Sequence, residues 1–452
     1  MAEAEAEKKQ GHYLITEAII FMPRYGGENQ QYKIEVGNLI SELQIFEDIR
    51  VPFLTGKILI VDKVRMFENV MFVGSEKIQI TIKNTLVKDG PIYIKTFIMR
   101  ALENVNPDRT VFAFDLIEDY GFASTIQTIS RSFNGKLENI VAKLLKDYCG
   151  KSVEITKDKA SIQPDLKVVV PNMTVAKAIQ WLTKRMSSIK GAPYFIYSRL
   201  YSDTLRLTSL DNDLAQVPFN DLKPFVYAPN ILSSETNPTD PLMEGFIITR
   251  VDFQTVRSEH ELAIIGSHGS HYDVSDINSN DNLDVHVSAY DFYQKLKSEI
   301  NRPTDTQNVF DPYFKVNDKL LRDYDSVYNH RLVSSSTFLD YPNFGFDGDT
   351  AQMKSCMNAQ SLRTMMSANL ISITTNGAPF FILEASVGQM VKLVFSVYDF
   401  SQNDKDSIYD AERSGNYFIT NIRHVFSQQK HTVDIKCGKL NRQENIMTGE
   451  TE

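Results

Sequence analysis

YFITNIRHVFSQQKHTVDIKC, residues Tyr417 to Cys437, reads as one long antiparallel hairpin, and an earlier part of the chain repeats its setting. In the return limb His431, Val433, Ile435 and Cys437 alternate with Thr432, Asp434 and Lys436, the period of a strand with one buried face. Upstream stand a strand at Leu370 to Ile373, then Gly388, then a strand at Val391 to Val397. The earlier stretch has a strand at Ile58 to Val61, then Gly74, then a strand at Ile78 to Ile82, then a hairpin from Tyr93 to Ile117. First strand to glycine takes 16 residues in one case (Ile58 to Gly74) and 18 in the other (Leu370 to Gly388). Within the hairpins, Phe97 to Thr110 is 13 residues and Phe418 to Thr432 is 14. Two similar antiparallel β units in one polypeptide suggest a subunit that contributes twice to a ring.

Working outward, Ile78, Ile80 and Ile82 alternate with Gln79, Thr81 and Lys83, and the earlier hairpin turns at Asn104 to Asp108, which carries Asn, Pro and Asp. Residues 12–122 therefore read as a first β-barrel or curled sheet. The period then changes. Leu137, Ile140, Val141, Leu144, Leu145 and Tyr148 form the stripe of an amphipathic helix over Gly135 to Cys149. A second helix follows Pro171-Asn172, with Val175, Ala178, Ile179, Leu182 and Met186 on one face and Asn172 or Thr174 as its cap. Strand character resumes at Tyr194 to Tyr197 and Leu205 to Leu210, so residues 123–215 form an α/β insert.

The Pro/Asn/Asp-rich residues 216–244 read as a linker. A second β-barrel takes residues 245–266 plus 353–440, with strand alternation around Val251 and Phe253. Between them lies an irregular insert, 267–352, with one helix expected at Ser288 to Ile300; Met353 to Ser367 is expected to be partly helical. Residues 1–11 and 441–452 are expected to be disordered, flexible ends. The fold class is mainly β with α/β insertions (α+β), built on two similar antiparallel β-barrel domains.

At 452 residues, with 42% hydrophobic and 11% aromatic content, the chain has ample material for several cores. The net charge of −9 argues against a protein that grips nucleic acid by its phosphates. Cys149, Cys356 and Cys437 are few, odd in number and without metal-knuckle spacing, so a disulfide framework and a zinc site are not expected. The first residues lack the apolar run of an export signal, and no stretch of about 18 apolar residues occurs, so membrane insertion is not expected and synthesis in a reducing cytoplasm is.

For catalysis the best motif is His260-Glu261 with His268, His271, Asp273 and Asp276, whose imidazoles and carboxylates are competent metal ligands. Their spacing fits no compact zinc motif, because Glu261 is followed by Leu-Ala-Ile-Ile. Asp276 to Asp281 resembles the start of a calcium loop but lacks its glycine, and Val287 stands where a bidentate Glu belongs. Nucleophile elbows, phosphate-cradling loops and dinucleotide fingerprints are absent from the sequence. No catalytic, cofactor-binding or metal residue is expected. The competing reading is a metal-dependent hydrolase using His268, His271 and a nearby Asp.

Several segments carry a family resemblance: Ser361-Leu-Arg-Thr-Met-Met-Ser-Ala-Asn-Leu-Ile-Ser-Ile-Thr374, Val387-Gly-Gln-Met-Val-Lys-Leu-Val-Phe395, and Gly415 to Phe426 with Thr432-Val-Asp-Ile435. Together they resemble the closing barrel of baseplate central hub proteins of contractile-tailed (T-even-type) phages, a family related to the N-terminal part of type VI secretion spike proteins. Val51-Pro-Phe-Leu-Thr-Gly-Lys-Ile-Leu-Ile-Val-Asp62 and Gly74-Ser-Glu-Lys-Ile-Gln-Ile80 resemble its first barrel, and Pro171-Asn-Met-Thr-Val-Ala-Lys-Ala-Ile179 the helix-opening motif of its inserted domain. The resemblance implies a homotrimeric ring of six barrels that adapts a six-fold tail tube to a three-fold central spike. The implied partners are the spike protein, a tail tube or tube-initiator protein and baseplate wedge proteins, with DNA passing through the lumen at most. The implied place is the virion tail baseplate, assembled in the host cytoplasm. A peripheral tail component with the same barrels and no ring is the other alternative.

Overall fold

The fold is that of a computed structural model, which describes residues 13–22, 32–63, 72–84, 91–104, 110–156, 166–188, 191–227, 245–256, 259–264, 268–276, 282–288, 314–333, 338–340, 369–397, 408–410, 413–427 and 430–439, with single positions between them. The chain is mainly β. Seven strands open it: β1 (Tyr13–Met22), β2 (Tyr32–Glu35), β3 (Ile40–Asp48), β4 (Thr55–Val61), β5 (Lys77–Asn84), β6 (Ile92–Asn104) and β7 (Val111–Glu118). They pair antiparallel in the order β3-β4-β7-β6-β5-β1-β2. The alternation read from the sequence is the cause: Ile78, Ile80 and Ile82 are fully buried, while Gln79, Thr81 and Lys83 face outward.

The chain then builds a separate α/β layer. It runs through α1 (Asp119–Ile126), β8 (Thr128–Gly135), α2 (Leu137–Cys149), β9 (Val153–Ile155), β10 (Leu166–Thr174), α3 (Val175–Thr183), β11 (Tyr194–Tyr197), β12 (Leu205–Ser209) and α4 (Leu210–Leu214), after which β13 (Phe225–Tyr227) returns to the main sheet. The stripe of α2 packs into a second core with Val175, Ala178, Ile179 and Leu182 of α3. Gly150, at φ 65, ends α2, and the amides of Gly150 and Lys151 satisfy the carbonyls of Lys146 and Leu145. Of the two expected caps for α3, Thr174 serves: its hydroxyl accepts from the Lys177 amide at 3.4 Å. β11 lies between the two cores. Its alternate residues Phe195 and Tyr197 enter the main core, while Tyr194 and Ile196 enter that of the insert. A strand with both faces covered explains its unbroken apolar run.

The remaining elements are β14 (Ile248–Val256), α5 (Glu259–Ile264), β15 (Ser270–Asp276), β16 (Asn282–Val287), β17 (Lys315–Val316), β18 (Lys319–Leu320), β19 (Val327–Val333), β20 (Phe338–Asp340), β21 (Asn369–Asn376), α6 (Ala378–Ile382), β22 (Met390–Val397), β23 (Ile408–Tyr409), β24 (Gly415–Ser427) and β25 (Lys430–Gly438). Strands β14-β21-β25-β24-β22-β13 form a second unit, which curls back on itself through a parallel bridge between Val226 and Ile247. Strand β24 also pairs with β3, so both units belong to one 14-stranded sheet with one continuous core.

The two stretches compared in the sequence have the same neighbour order, β4-β7-β6-β5 and β21-β25-β24-β22. Their irregularities also coincide. A bulge interrupts β6 between Met99 and Ala101 and β24 between Ile419 and Asn421; another interrupts β3 between Ile40 and Glu42 and β14 between Ile248 and Arg250. Gly74 and Gly388 sit at φ +84 and +77, a left-handed conformation that glycine adopts without strain.

Several elements differ from the sequence expectation. Residues 216–244, expected as a linker, contain β13, which pairs in parallel with β22. Three residues are too few to show a period, and what fixes them is tertiary: Asn220 donates to the Lys392 carbonyl at 2.9 Å and accepts from its amide at 2.7 Å. Within 267–352, β15, β16 and β19 form a small sheet in which β15 and β19 run parallel, and β20 pairs with β10 of the earlier insert. The second helix ends at Thr183, before Met186, which is nonetheless buried. The helix expected at Ser288 to Ile300 lies, beyond Ser288, outside the described residues, as do residues 105–109, 228–244, 341–358, 1–11, 440–452 and Cys356. Burial pushes the Cys149 thiol up to about 11 and that of Cys437 further, in keeping with apolar filling. Among the described residues no helix is long and apolar enough to cross a membrane.

Candidate functional site at the junction of the two β units

The residues singled out for metal chemistry do not converge. His260 and Glu261 lie exposed on α5, and His268 is buried just before β15. His271 faces His286 across β15 and β16, with its Nε2 2.8 Å from Asp284. His286 Nδ1 lies 2.6 Å from Asp325, and its other nitrogen 3.1 Å from the Arg322 carbonyl oxygen. Asp273 is engaged elsewhere: it takes His330 at 3.0 Å and the Tyr328 hydroxyl at 3.2 Å. Tyr328 in turn stacks on His271, with ring centres 4.6 Å apart. The result is a patch of paired imidazoles and carboxylates. Among the described residues no group of three His, Cys, Asp or Glu side chains is disposed to hold a metal ion. Asp276 closes β15, Asn282 opens β16 and the two strands pair directly, so the sequence likened to a calcium loop joins a hairpin; residues 277–281 lie outside the described residues.

The concentrated polar chemistry lies where β3 meets β24. Leu43, Ile45 and Glu47 form the inward row of β3, so Glu47 stands at a position where the pattern of the strand calls for an apolar residue. Its carboxylate ties together three distant segments. It accepts from the Leu200 amide at 2.7 Å, from the Ser386 hydroxyl at 2.6 Å and from the Val387 amide at 3.3 Å. His424 of β24 approaches with its Nε2 at 3.6 Å, and its Nδ1 lies 3.3 Å from His431 of β25. Burial, the largest single influence on Glu47, would raise its pKa; the His424 imidazole, the Ser386 hydroxyl and the Leu200 amide together hold it below the ordinary carboxylate value. The hydroxyl of Ser386 is spent on the carboxylate and is fully buried, so it is not an accessible nucleophile. This knot is a fastening between the two β units and the α/β layer. Sequence reasoning missed it; a lone Glu in an inward row was the available signal.

Aromatic rings wall the knot. His431 stacks on Phe426 at 4.3 Å and meets the edge of Phe381 of α6 at 5.0 Å. Lys95 of β6, itself buried, reaches the Ser202 carbonyl at 2.7 Å and Asp203 at 3.1 Å, so the α/β layer is tied to the first unit as well. Beside the junction a cleft of about 550 Å3 opens between the β3–β4 turn, α3 and β11. Arg363 crosses it, donating to the carbonyls of Thr183 and Tyr194 at 3.0 Å each.

A second buried acid behaves oppositely. Asp213 of α4 accepts from Thr208 at 3.0 Å and Gln216 at 2.8 Å, with Arg206 3.6 Å away. Burial outweighs these partners and pushes its carboxyl up to about 8. The folded value is raised, so its contribution is present in acid and is lost as pH rises through about 8. Asp213→Asn is therefore expected to lose less stability than the parent protein between neutral pH and pH about 9, since an amide keeps the acceptor without the charge. Denaturant midpoints at the two pH values check this; equal slopes for both proteins would contradict it.

No protein-family model and no curated protein matches the chain. Solved structures do. The tail protein from Neisseria meningitidis MC58 is 11% identical, with 94% of this chain and 96% of that one covered at a TM-score of 0.49. The 43 kDa tail protein of prophage MuSo2 from Shewanella oneidensis is 10% identical, with 94% of this chain and 100% of that one covered at a TM-score of 0.47. A chain of the PdpA–VgrG complex is 13% identical, with 96% of this chain and 67% of that one covered at a TM-score of 0.43. Each is a tail protein or part of a VgrG complex.

Proposed function

We propose that this chain is a non-enzymatic, tail-associated structural subunit, and specifically the hub of a contractile tail. Three copies form a ring that adapts a six-fold tube to a three-fold spike. The observation that carries this reading is the recurrence of one β unit twice in the chain, in the same register, joined edge to edge through β24 and β3. A chain holding two like units supplies six positions from three copies, which is what a symmetry adaptor needs. The sequence resemblance to baseplate hub proteins supports the same reading. The partners are the spike, a tube or tube-initiator protein and wedge proteins, and the site of action is the virion tail. A net charge of −9 suits a lumen that lets DNA pass without holding it.

Light scattering of the purified chain, alone and with its spike partner, should give the mass of three copies. Electron microscopy of the same sample should show tori with six lobes. A monomer under all these conditions, or particles lacking three-fold symmetry, would refute the hub and favour a peripheral tail component.

A further inference from the structure

The cleft beside the junction has a sheet wall and a helix wall. Asp48 at the end of β3, Asn421 of β24 and Lys436 of β25 line the first, and Thr183 and Lys184 at the end of α3 line the second. Val51, Phe195 and Ile196 add apolar surface between them. The charges of the cleft are unbalanced. Asp48 is taken by Arg50, whose amide and Nε lie 2.8 and 3.3 Å from its carboxylate. Lys184 and Lys436 have no carboxylate within ion-pair distance among the described residues. Arg363, which donates to two carbonyls in the cleft, adds a further positive charge. A cleft of this make-up suits an extended segment that is acidic and has an apolar centre.

Strand β25 delivers such a segment to the rim. Two residues after Lys436, Gly438 pairs with Phe418 and with Leu370, which itself lines the cleft. Lys439 is fixed at the exit, its Nζ donating to the Ser414 carbonyl at 2.8 Å. The chain continues as Leu440-Asn-Arg-Gln-Glu444-Asn-Ile446-Met447-Thr-Gly-Glu450-Thr-Glu452, outside the described residues. This stretch has three glutamates against one arginine, with Ile446-Met447 as its central apolar pair. Extended chain covers about 3.3 Å per residue, so Gly438 to Ile446 can span about 26 Å. That reach exceeds the breadth of a cleft of about 550 Å3.

We propose that residues 440–452 seat in this cleft of their own chain, with Ile446 and Met447 on the Val51, Phe195 and Ile196 surface, Glu444 beside Lys436 and Glu450 beside Lys184. The order acid, apolar pair, acid along the segment matches the order lysine, apolar surface, lysine from the sheet to α3. Tethering makes a weak match sufficient. At an effective concentration of about 1 mM, a segment with a free Kd of about 0.1 mM fills the cleft about nine-tenths of the time. Once seated, it joins β25, the β3–β4 turn and α3, a tie across the outside of the junction that Glu47 fastens from within. The contact lies within one chain and does not depend on the ring.

The test uses the full chain carrying Met447→Cys with Lys184→Cys, compared with Met447→Cys with Arg413→Cys. Arg413 is exposed and adjoins Ser414, the partner of Lys439 at the exit, so an unseated segment meets it at least as often as Lys184. Melts under reductant establish that each variant folds. On air oxidation the link from 447 to 184 should form about tenfold faster than that from 447 to 413. Mass spectrometry of the unreduced digest identifies each link and separates those to Cys149, Cys356 or Cys437. Adding Glu444→Lys with Glu450→Lys should bring the rate at 184 down to that at 413. Equal rates at 184 and 413 without these lysines would overturn the seating. Links between chains only would overturn it as well and give the cleft to a second copy. A preference for 184 that survives the charge reversal would overturn the pairing of acids with lysines that places the segment.

Discussion

Glu47→Ala is expected to lower unfolding stability by about 4 kcal/mol, because it removes the acceptor shared by three buried donors and the carboxylate beside the His424 imidazole. The size follows from what is left behind. The Leu200 and Val387 amides and the Ser386 hydroxyl lie in the main core, where water cannot replace the carboxylate, and a buried donor without a partner costs roughly 1–3 kcal/mol. Glu47→Gln keeps an acceptor oxygen but turns an NH2 toward one set of donors, so an intermediate loss of about 2 kcal/mol is expected. The carboxyl is held below its ordinary value, so its contribution is full above the unfolded carboxylate pKa of about 4.3 and is lost as pH falls through the lower folded value. The difference between parent and Glu47→Gln should therefore shrink in acid. Denaturant melts at neutral pH and near pH about 3 test this directly. A gap as wide in acid as at neutral pH would show that the carboxylate charge is not what fastens the junction.

How much of this was legible depended on period and spacing. The strands around Ile78 to Ile82 and His431 to Cys437, and the helices of Leu137 and Val175, announce themselves because a single repeating face must be buried. The internal repeat was legible for the same reason, since two hairpins with matched glycines leave a pattern in spacing. Strand β13 was not, because its three residues are fixed by Asn220 and not by a period of their own. The pairing of β20 with β10 joins residues about 170 apart, for which nothing local speaks. The junction was the least legible. Glu47, Ser386 and His424 are far apart in sequence, and each reads singly as an ordinary polar residue of a strand or turn. The histidine-rich loop drew attention by local density alone, yet His260 lies exposed on α5, His268 is buried, and His271 is engaged with Asp284, while Asp325 and Asp273 are taken up by His286 and His330 from outside the loop.

Gly377→Ala is the second substitution expected to have a large effect, a loss of about 3 kcal/mol, and its cause is packing, not backbone freedom. Gly377 has φ −79, a value open to any residue. A β-carbon there would fall 1.8 Å from Nδ1 of His431 and 2.1 Å from its Cε1, far inside van der Waals contact. Neither side can yield easily. The Gly377 amide donates to the His431 carbonyl at 3.0 Å, which fixes the two backbones, and the imidazole is held between Phe426 and Phe381. Displacing the ring would also break its contact with His424 and so loosen the Glu47 knot. The test is a double-mutant cycle with His431→Ala, which removes the obstructing ring. His431→Ala should cost less in the Gly377→Ala background than in the parent, with a coupling of about 1–3 kcal/mol. Additive losses would mean that the methyl group is accommodated by moving α6 instead, and the histidine pair would then not be the rigid wall of the junction.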